Sequence, residues 1–189
     1  MSCTEPITQL EKVTIGGGCF WCIENLFQKL QGIYNIRSGY SGGRADEATY
    51  KQVKTGKTGH AEVIHFQFDP KIINFKDIIQ IFMNLHDPTT LNKQGIDEGP
   101  QYRSVIFYHN EEQKQISEEI IQQMTEDKIY ENKIVTEVTE FNEFFLAEED
   151  HQNYYNLNPE DAFCRATIDP KVRKLYKKYY NKLVVAAAN

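Results

Sequence analysis

Apolar positions recur along the chain in two periods, and the switching between them outlines its elements. A short β-branched run, Val13-Thr14-Ile15, reads as a strand end. Ile23, Leu26, Phe27 and Leu30 follow at the i, i+3, i+4, i+7 spacing of a helix over residues 20–30. Residues 33–40 predict a second strand, and 49–54 a short polar turn or helix closed by Gly56 and Gly59. From Ala61 to Phe68 the period is two: Glu62, Ile64, Phe66 and Phe68 share one face, while Val63, His65 and Gln67 point the other way. Asn74, with Asp77 three residues on, reads as a helix cap, Phe75, Ile78, Ile79 and Phe82 as the buried stripe, and His86-Asp87-Pro88 as the stop.

The second half is less regular. Residues 104–109 predict a strand, Ile116, Ile120, Ile121 and Met124 a helix, 134–138 a further strand, and 148–155 one more short helix. Phe141, Phe144 and Phe145 read as core, and Thr89 to Arg103 as a polar loop long for a compact domain. Residues 157–167 show no clear period. Asp169-Pro170 then reads as N-cap and first residue of a terminal helix carrying Val172, Leu175, Tyr176, Tyr179 and Leu183. Residues 1–12 predict a loose polar arm, and the alternation over the first 140 residues predicts one sheet with helices packed on it, the strand order left open.

Composition narrows the classes. With 189 residues, 40% of them hydrophobic, the chain is expected to form one domain over 1–189. A net charge of −6 with Lys and Arg dispersed argues against nucleic acid and anionic membranes as partners. No run approaches a membrane span, and the first residues lack the apolar stretch of a signal peptide. Four cysteines in a chain of this size make no disulfide scaffold, so free or catalytic thiols in a reducing compartment, the cytoplasm, are expected.

The candidate chemistry sits at Gly16-Gly17-Gly18-Cys19-Phe20-Trp21-Cys22. Three glycines between a strand and a helix allow a tight turn that sets Cys19 at the helix N-terminus, where unpaired N–H groups and the helix dipole favour a thiolate. Trp21 is the only tryptophan, and with Phe20 it offers an apolar wall beside the thiol. A zinc site would need a second pair of ligands, yet Cys3 and Cys164 are isolated and no two histidines stand at ligand spacing. Glu62, on the apolar face of its strand, loses solvation, which raises its pKa and makes it a candidate general acid; a solvated strand-end carboxylate is the plainer reading.

Read in order, these segments resemble the A type of peptide methionine sulfoxide reductase. The matching stretches are Gly18-Cys19-Phe20-Trp21, Gly39-Tyr40-Ser41-Gly42-Gly43, Gly59-His60-Ala61-Glu62, His86-Asp87-Pro88, Gly95 to Ser104, and Glu148 to Tyr154. The resemblance implies a two-layer α+β fold of ferredoxin-like type, with a mixed sheet and a C-terminal segment, 157–189, ending in a helix. It implies reduction of the S epimer of methionine sulfoxide, free or in proteins, with no cofactor beyond an external dithiol, thioredoxin, and a monomeric enzyme. It further implies that Cys19 attacks the sulfoxide sulfur and that Phe20 and Trp21 hold the substrate methyl. Glu62, Tyr50 and Tyr102 would bond the oxygen, with Asp97 and His60 beside the substrate.

Attack would leave Cys19 as a sulfenic acid that condenses with a second thiol. Cys164, after Asn158-Pro159 on what reads as a flexible segment, is the favoured resolving residue, and Cys22 the alternative. Cys3 reads as a bystander. A departure at Ala45 to Thr49 loosens the placement of Tyr50, and the absence of a glycine-rich ending with a further cysteine argues against a two-step C-terminal relay. The competing readings are a general dithiol oxidoreductase using Cys19 and Cys22, and a module that captures oxidised methionine without turnover.

Overall fold

The computed structural model describes residues 9–184, so Cys3 and most of the expected arm lie outside the described residues. In chain order the elements are β1 (Glu11–Gly16), α1 (Phe20–Phe27), β2 (Ile33–Ser41), α2 (Tyr50–Val53), β3 (Ala61–Phe68), α3 (Phe75–Leu85), β4 (Lys93–Gln94), β5 (Asp97–Glu98), β6 (Val105–Tyr108), α4 (Glu111–Glu126), β7 (Glu137–Glu140), β8 (Phe145–Leu146), α5 (Tyr154–Leu157), α6 (Ala162–Thr167) and α7 (Asp169–Tyr179).

Six strands form one mixed sheet in the order β7-β6-β1-β3-β2-β8, and β4 and β5 make a separate hairpin. Among the described residues only β6 and β7 run parallel, joined by the crossover helix such a pair requires, here α4. Alternation along the strands divides the side chains between two faces. Val13, Ile15, Ile64, Phe66, Phe68 and Ile106 pack against the apolar stripes of α1, α3, α4 and α7 in the main core. On the opposite face Ala61, Val63, Val105 and Phe107 are covered by Phe141 and Phe144 from the segment before β8. The fold is therefore α+β, with helices on one face of the sheet. Among the described residues no helix is long and apolar enough to cross a membrane.

Several elements differ from their sequence outline. β1 starts at Glu11 rather than Val13, because β3 extends to Phe68 and supplies backbone partners for Glu11 and Lys12. α4 starts ahead of its apolar stripe, at Glu111, since Asn110 accepts the Gln113 N–H at 2.9 Å. Ile134 is buried but precedes the strand, which runs Glu137–Glu140. The expected helix over 148–155 is split: a 3₁₀ turn at Glu149–His151 is followed by Asn153 at φ 53, left-handed, and then by α5. Residues 157–167 are not irregular throughout but contain α6, and α7 starts at Asp169 with Ile168, still helical in backbone, as its cap. Phe141, Phe144 and Phe145 are half-buried covers of the sheet rather than deep core.

Candidate active site

The turn from β1 into α1 is held by backbone fit. Gly18 has φ +92 and its N–H donates to the Tyr102 carbonyl at 3.1 Å, while a Cβ there would meet the Gln94 side chain at 2.7 Å. Only glycine satisfies both the left-handed backbone and the close approach. Gln94 in turn clamps the loop behind it, its Oε1 accepting from the Asp87 N–H at 3.1 Å and its Nε2 donating to the Asp87 carbonyl at 3.0 Å. The β4–β5 hairpin and the 3₁₀ turn at Pro100–Tyr102 are thereby fixed beside Cys19, the N-cap residue of α1.

These elements enclose a cavity of about 210 Å³. Cys19, Phe20 and Trp21 line it from the start of α1, Tyr50 from α2 and Lys54 from the position just after it, Glu62 from β3, Asp97 from β5, Tyr102 from the 3₁₀ turn and Phe163 from α6. Phe20 is fully buried and Trp21 partly so, which gives the cavity its apolar wall. Behind the wall lies a stack of rings. The Trp21 indole lies flat on Tyr154 with centroids 3.7 Å apart, its N–H donates to His151 Nδ1 at 3.3 Å, and Phe163 meets it edge-on at 6.1 Å.

Glu62 is 1% exposed, on the face the alternation assigned to it. Burial pushes its carboxyl up to about 8, against the pull of the Phe20 N–H, which donates to Oε2 at 3.1 Å. At neutral pH the group is an acid, and with Oε2 taken by the amide its proton belongs on Oε1. Burial also pushes the Tyr50 hydroxyl up to about 12 and the Tyr102 hydroxyl well above its usual value, so both remain donors. Burial raises Asp97 as well.

Cys19 departs from expectation. The thiol is 7% exposed, and burial pushes it well above its usual value, with the hydrogen bond to Cys22 and the charge of Glu62 acting in the same direction. A helix N-terminus stabilises an anion by roughly 0.3–1 kcal/mol, less than the several kcal/mol needed to take an ion out of water. The resting cavity therefore holds a neutral thiol facing a neutral carboxyl. The same hydrogen bond, with Lys171 and Thr167, pulls Cys22 down.

Three sequence candidates lie outside the cavity wall. His60 is 1% exposed and both ring nitrogens are occupied: Nδ1 accepts the Gly43 N–H at 3.1 Å and Nε2 bonds the Arg44 carbonyl at 2.9 Å. It ties the loop after β2 to β3 and does not line the cavity. Cys22 and Cys164 are buried beneath the site. Cys164 is not on a flexible segment but in α6, capped by Asp161, whose carboxylate accepts the Cys164 N–H at 3.0 Å; burial pushes its thiol up to about 12.

The sequence reading also missed supports. Glu148 braces two tyrosines, its Oε2 accepting from the Tyr40 hydroxyl at 2.9 Å and its Oε1 from the Tyr50 N–H at 2.8 Å. That bond seats α2 despite the unusual residues before it. Gln152 grips Ser38 through both its N–H and its carbonyl, and buried Glu24 accepts the Asn153 N–H at 2.9 Å. Together they hold His151 and Tyr154 against Trp21. The resemblance of 148–154 marked this stretch without giving its residues a task. Phe163 and Lys54 had no sequence signal, being set at the cavity by tertiary packing.

A family model described as peptide methionine sulfoxide reductase matches residues 11–184. The peptide methionine sulfoxide reductase MsrA of Polynucleobacter asymbioticus is 45% identical over 170 residues, 90% of each chain. Among solved structures, reduced Mxr1 from Saccharomyces cerevisiae superposes with a TM-score of 0.76 at 30% identity, covering 87% of this chain and 94% of that one. Mxr1 in complex with Trx2 matches at 0.52 and 22% identity over 82% and 92%, a likeness of fold. The chain thus belongs to the peptide methionine sulfoxide reductase family, and its activity is the thiol-dependent reduction of methionine sulfoxide.

Proposed function

We propose that the cavity reduces the S epimer of methionine sulfoxide by direct attack of Cys19 on the sulfoxide sulfur, with Glu62 as the acid. The observation that carries this reading is a thiol and a protonated carboxyl lining one small cavity walled by Phe20 and Trp21. The aromatic wall takes the substrate methyl, and Glu62, Tyr50 and Tyr102 offer three hydrogen-bond donors to the oxygen. Asp97 supports the polar side of the cavity.

Because the resting thiol is neutral, the proton count closes without solvent. Glu62 gives its proton to the sulfoxide oxygen, which makes the sulfur electrophilic, and the Cys19 sulfur bonds to it as the S–H proton returns to Glu62. Transfer of the hydroxyl to the Cys19 sulfur forms a new S–O bond there as the substrate S–O bond and the transient S–S bond both break. The thioether leaves reduced by two electrons and Cys19 remains as the sulfenic acid. A second thiol then displaces water to give a disulfide.

Cys22 is the nearest second thiol. It lies one helical turn on, where Cβ atoms are about 5–6 Å apart. Cys164 sits in a formed helix, so we assign the first disulfide to Cys19 and Cys22, the alternative of the sequence reading, and a later one to Cys164, a two-step path through α6 that the chain's ending had argued against. A dithiol protein of thioredoxin type, as in the Mxr1 complex with Trx2, closes the cycle.

The test is turnover of each methionine sulfoxide epimer with dithiothreitol and with thioredoxin, for wild type, Cys19→Ser, Cys22→Ser and Cys164→Ser. Only the S epimer should be consumed, and Cys19→Ser should consume none. Consumption of both epimers, or activity retained in Cys19→Ser, would refute the assignment. Insulin reduction without sulfoxide consumption would favour a general dithiol oxidoreductase.

A further inference from the structure

Lys54 lines the cavity but has no part in the chemistry above. Its backbone is fixed: the N–H donates to the Tyr50 carbonyl at 2.9 Å, and the carbonyl accepts from Gln101 Nε2 at 3.2 Å. The side chain is exposed, with Nζ 5.6 Å from the centroid of the Tyr50 ring. Among the described residues no carboxylate forms an ion pair with it and Nζ donates no hydrogen bond. Lys51 and Lys57, exposed on the same segment, are also without ion pairs among the described residues.

This is a local concentration of unpaired positive charge on a chain of net charge −6, placed at the mouth of the reaction cavity. None of the cavity carboxyls is ion-paired with it: burial keeps Glu62 mainly protonated at neutral pH against the pull of the Lys54 charge, and the charged neighbour of Asp97 is Lys171. A cavity of about 210 Å³ admits the sulfoxide side chain and leaves the substrate backbone and adjacent residues at the rim, where the ammonium is.

We infer that Lys54 is a specificity-determining residue that selects methionine sulfoxide bearing a nearby carboxylate. The inference rests on the reading of the cavity as the sulfoxide site. The carboxylate comes either from an Asp or Glu flanking the oxidised residue in a polypeptide or from the α-carboxylate of the free amino acid. The Tyr50 ring under the ammonium holds the side chain over the opening, so its charge is spent on the incoming substrate.

The test compares kcat/KM for two substrate pairs: peptides with Asp or with Asn on both sides of methionine sulfoxide, and N-acetylmethionine sulfoxide against its methylamide. Wild type, K54M and K54E are each measured at low salt and at about 0.5 M salt. An exposed pair of this kind gives wild type a preference of about two- to fivefold for the charged member, carried by KM. The preference should fall to about one in K54M, invert in K54E and shrink with salt. A response in the peptide pair identifies flanking acidic residues as the source, and one in the acetylated pair identifies the α-carboxylate. Each ratio is internal to one variant, so partial loss of folded protein cancels. A ratio unchanged across the three proteins would overturn the role of Lys54 and leave the sulfoxide reading standing. Failure of wild type to turn over any of the four would overturn both.

Discussion

At the scale of the residue, the site turns on Glu62, whose burial makes it both an acid and a burden. A folded-state value near 8 against an unfolded value near 4.5 means the carboxyl costs no stability below about pH 4.5. The cost grows as pH rises from about 4.5 and is complete above the folded value. Glu62→Gln keeps the acceptor for the Phe20 N–H and removes the charge, so it should be more stable than wild type at pH 8 by on the order of 1–2 kcal/mol. The same variant should lose about 10²–10⁴-fold in turnover, because an amide cannot protonate the oxygen. Urea unfolding at pH 6 and 8 together with steady-state rates checks both halves. Wild-type rates should in turn decline above about pH 8 as Glu62 loses its proton. Unimpaired turnover in Glu62→Gln would remove the acid.

At the scale of the element, α6 decides when Cys164 becomes available. It is a helix of six residues, too short to persist alone, held by the Asp161 cap and by packing of Phe163 on Trp21. Removing the cap with Asp161→Ala should cost about 1 kcal/mol of local stability. The open fraction of α6 would rise roughly fivefold. Labelling of Cys164 by a maleimide, followed by mass spectrometry of the peptide, should accelerate by that factor while Cys22 does not. Equal rates would show that Cys164 is released by something other than unwinding of α6. This element was invisible in the sequence because its residues, Ala162 to Thr167, carry no period: Phe163 and Cys164 are adjacent yet one faces the cavity and the other the core. α3 was legible end to end for the opposite reason, since its Asn74 cap and apolar stripe are local signals. β4 and β5 could not be read, being two residues each and fixed by contacts such as Gln94 with Asp87.

At the scale of the whole molecule, the period-two face of β3 foretold the depth of Glu62, but the strand order had no sequence signal because β1 pairs with strands far from it in the chain. The charge state of Cys19 was misjudged for a related reason, as burial is a sum over the fold and outweighs the local dipole. The same long-range packing creates a cluster on the sheet face away from the cavity. The Thr14 hydroxyl bonds His65 Nδ1 at 2.7 Å and His109 Nε2 at 2.9 Å, and Phe141 and Phe144 cover the two imidazoles. Burial holds both rings down at about 4, helped by Lys12 and, for His109, by the His65 ring beside it. An unfolded histidine titrates near 6.5, so unfolding takes up protons between the two values. The stability these rings confer is complete above about pH 6.5 and is lost as pH falls toward 4. Wild type should therefore show a steeper loss of unfolding free energy from pH 6.5 to 4.5 than His65→Gln, which has one titrating ring fewer. Glu62 contributes equally to both proteins and drops out of the difference. Parallel pH profiles for the two would mean that His65 is not held neutral by the fold.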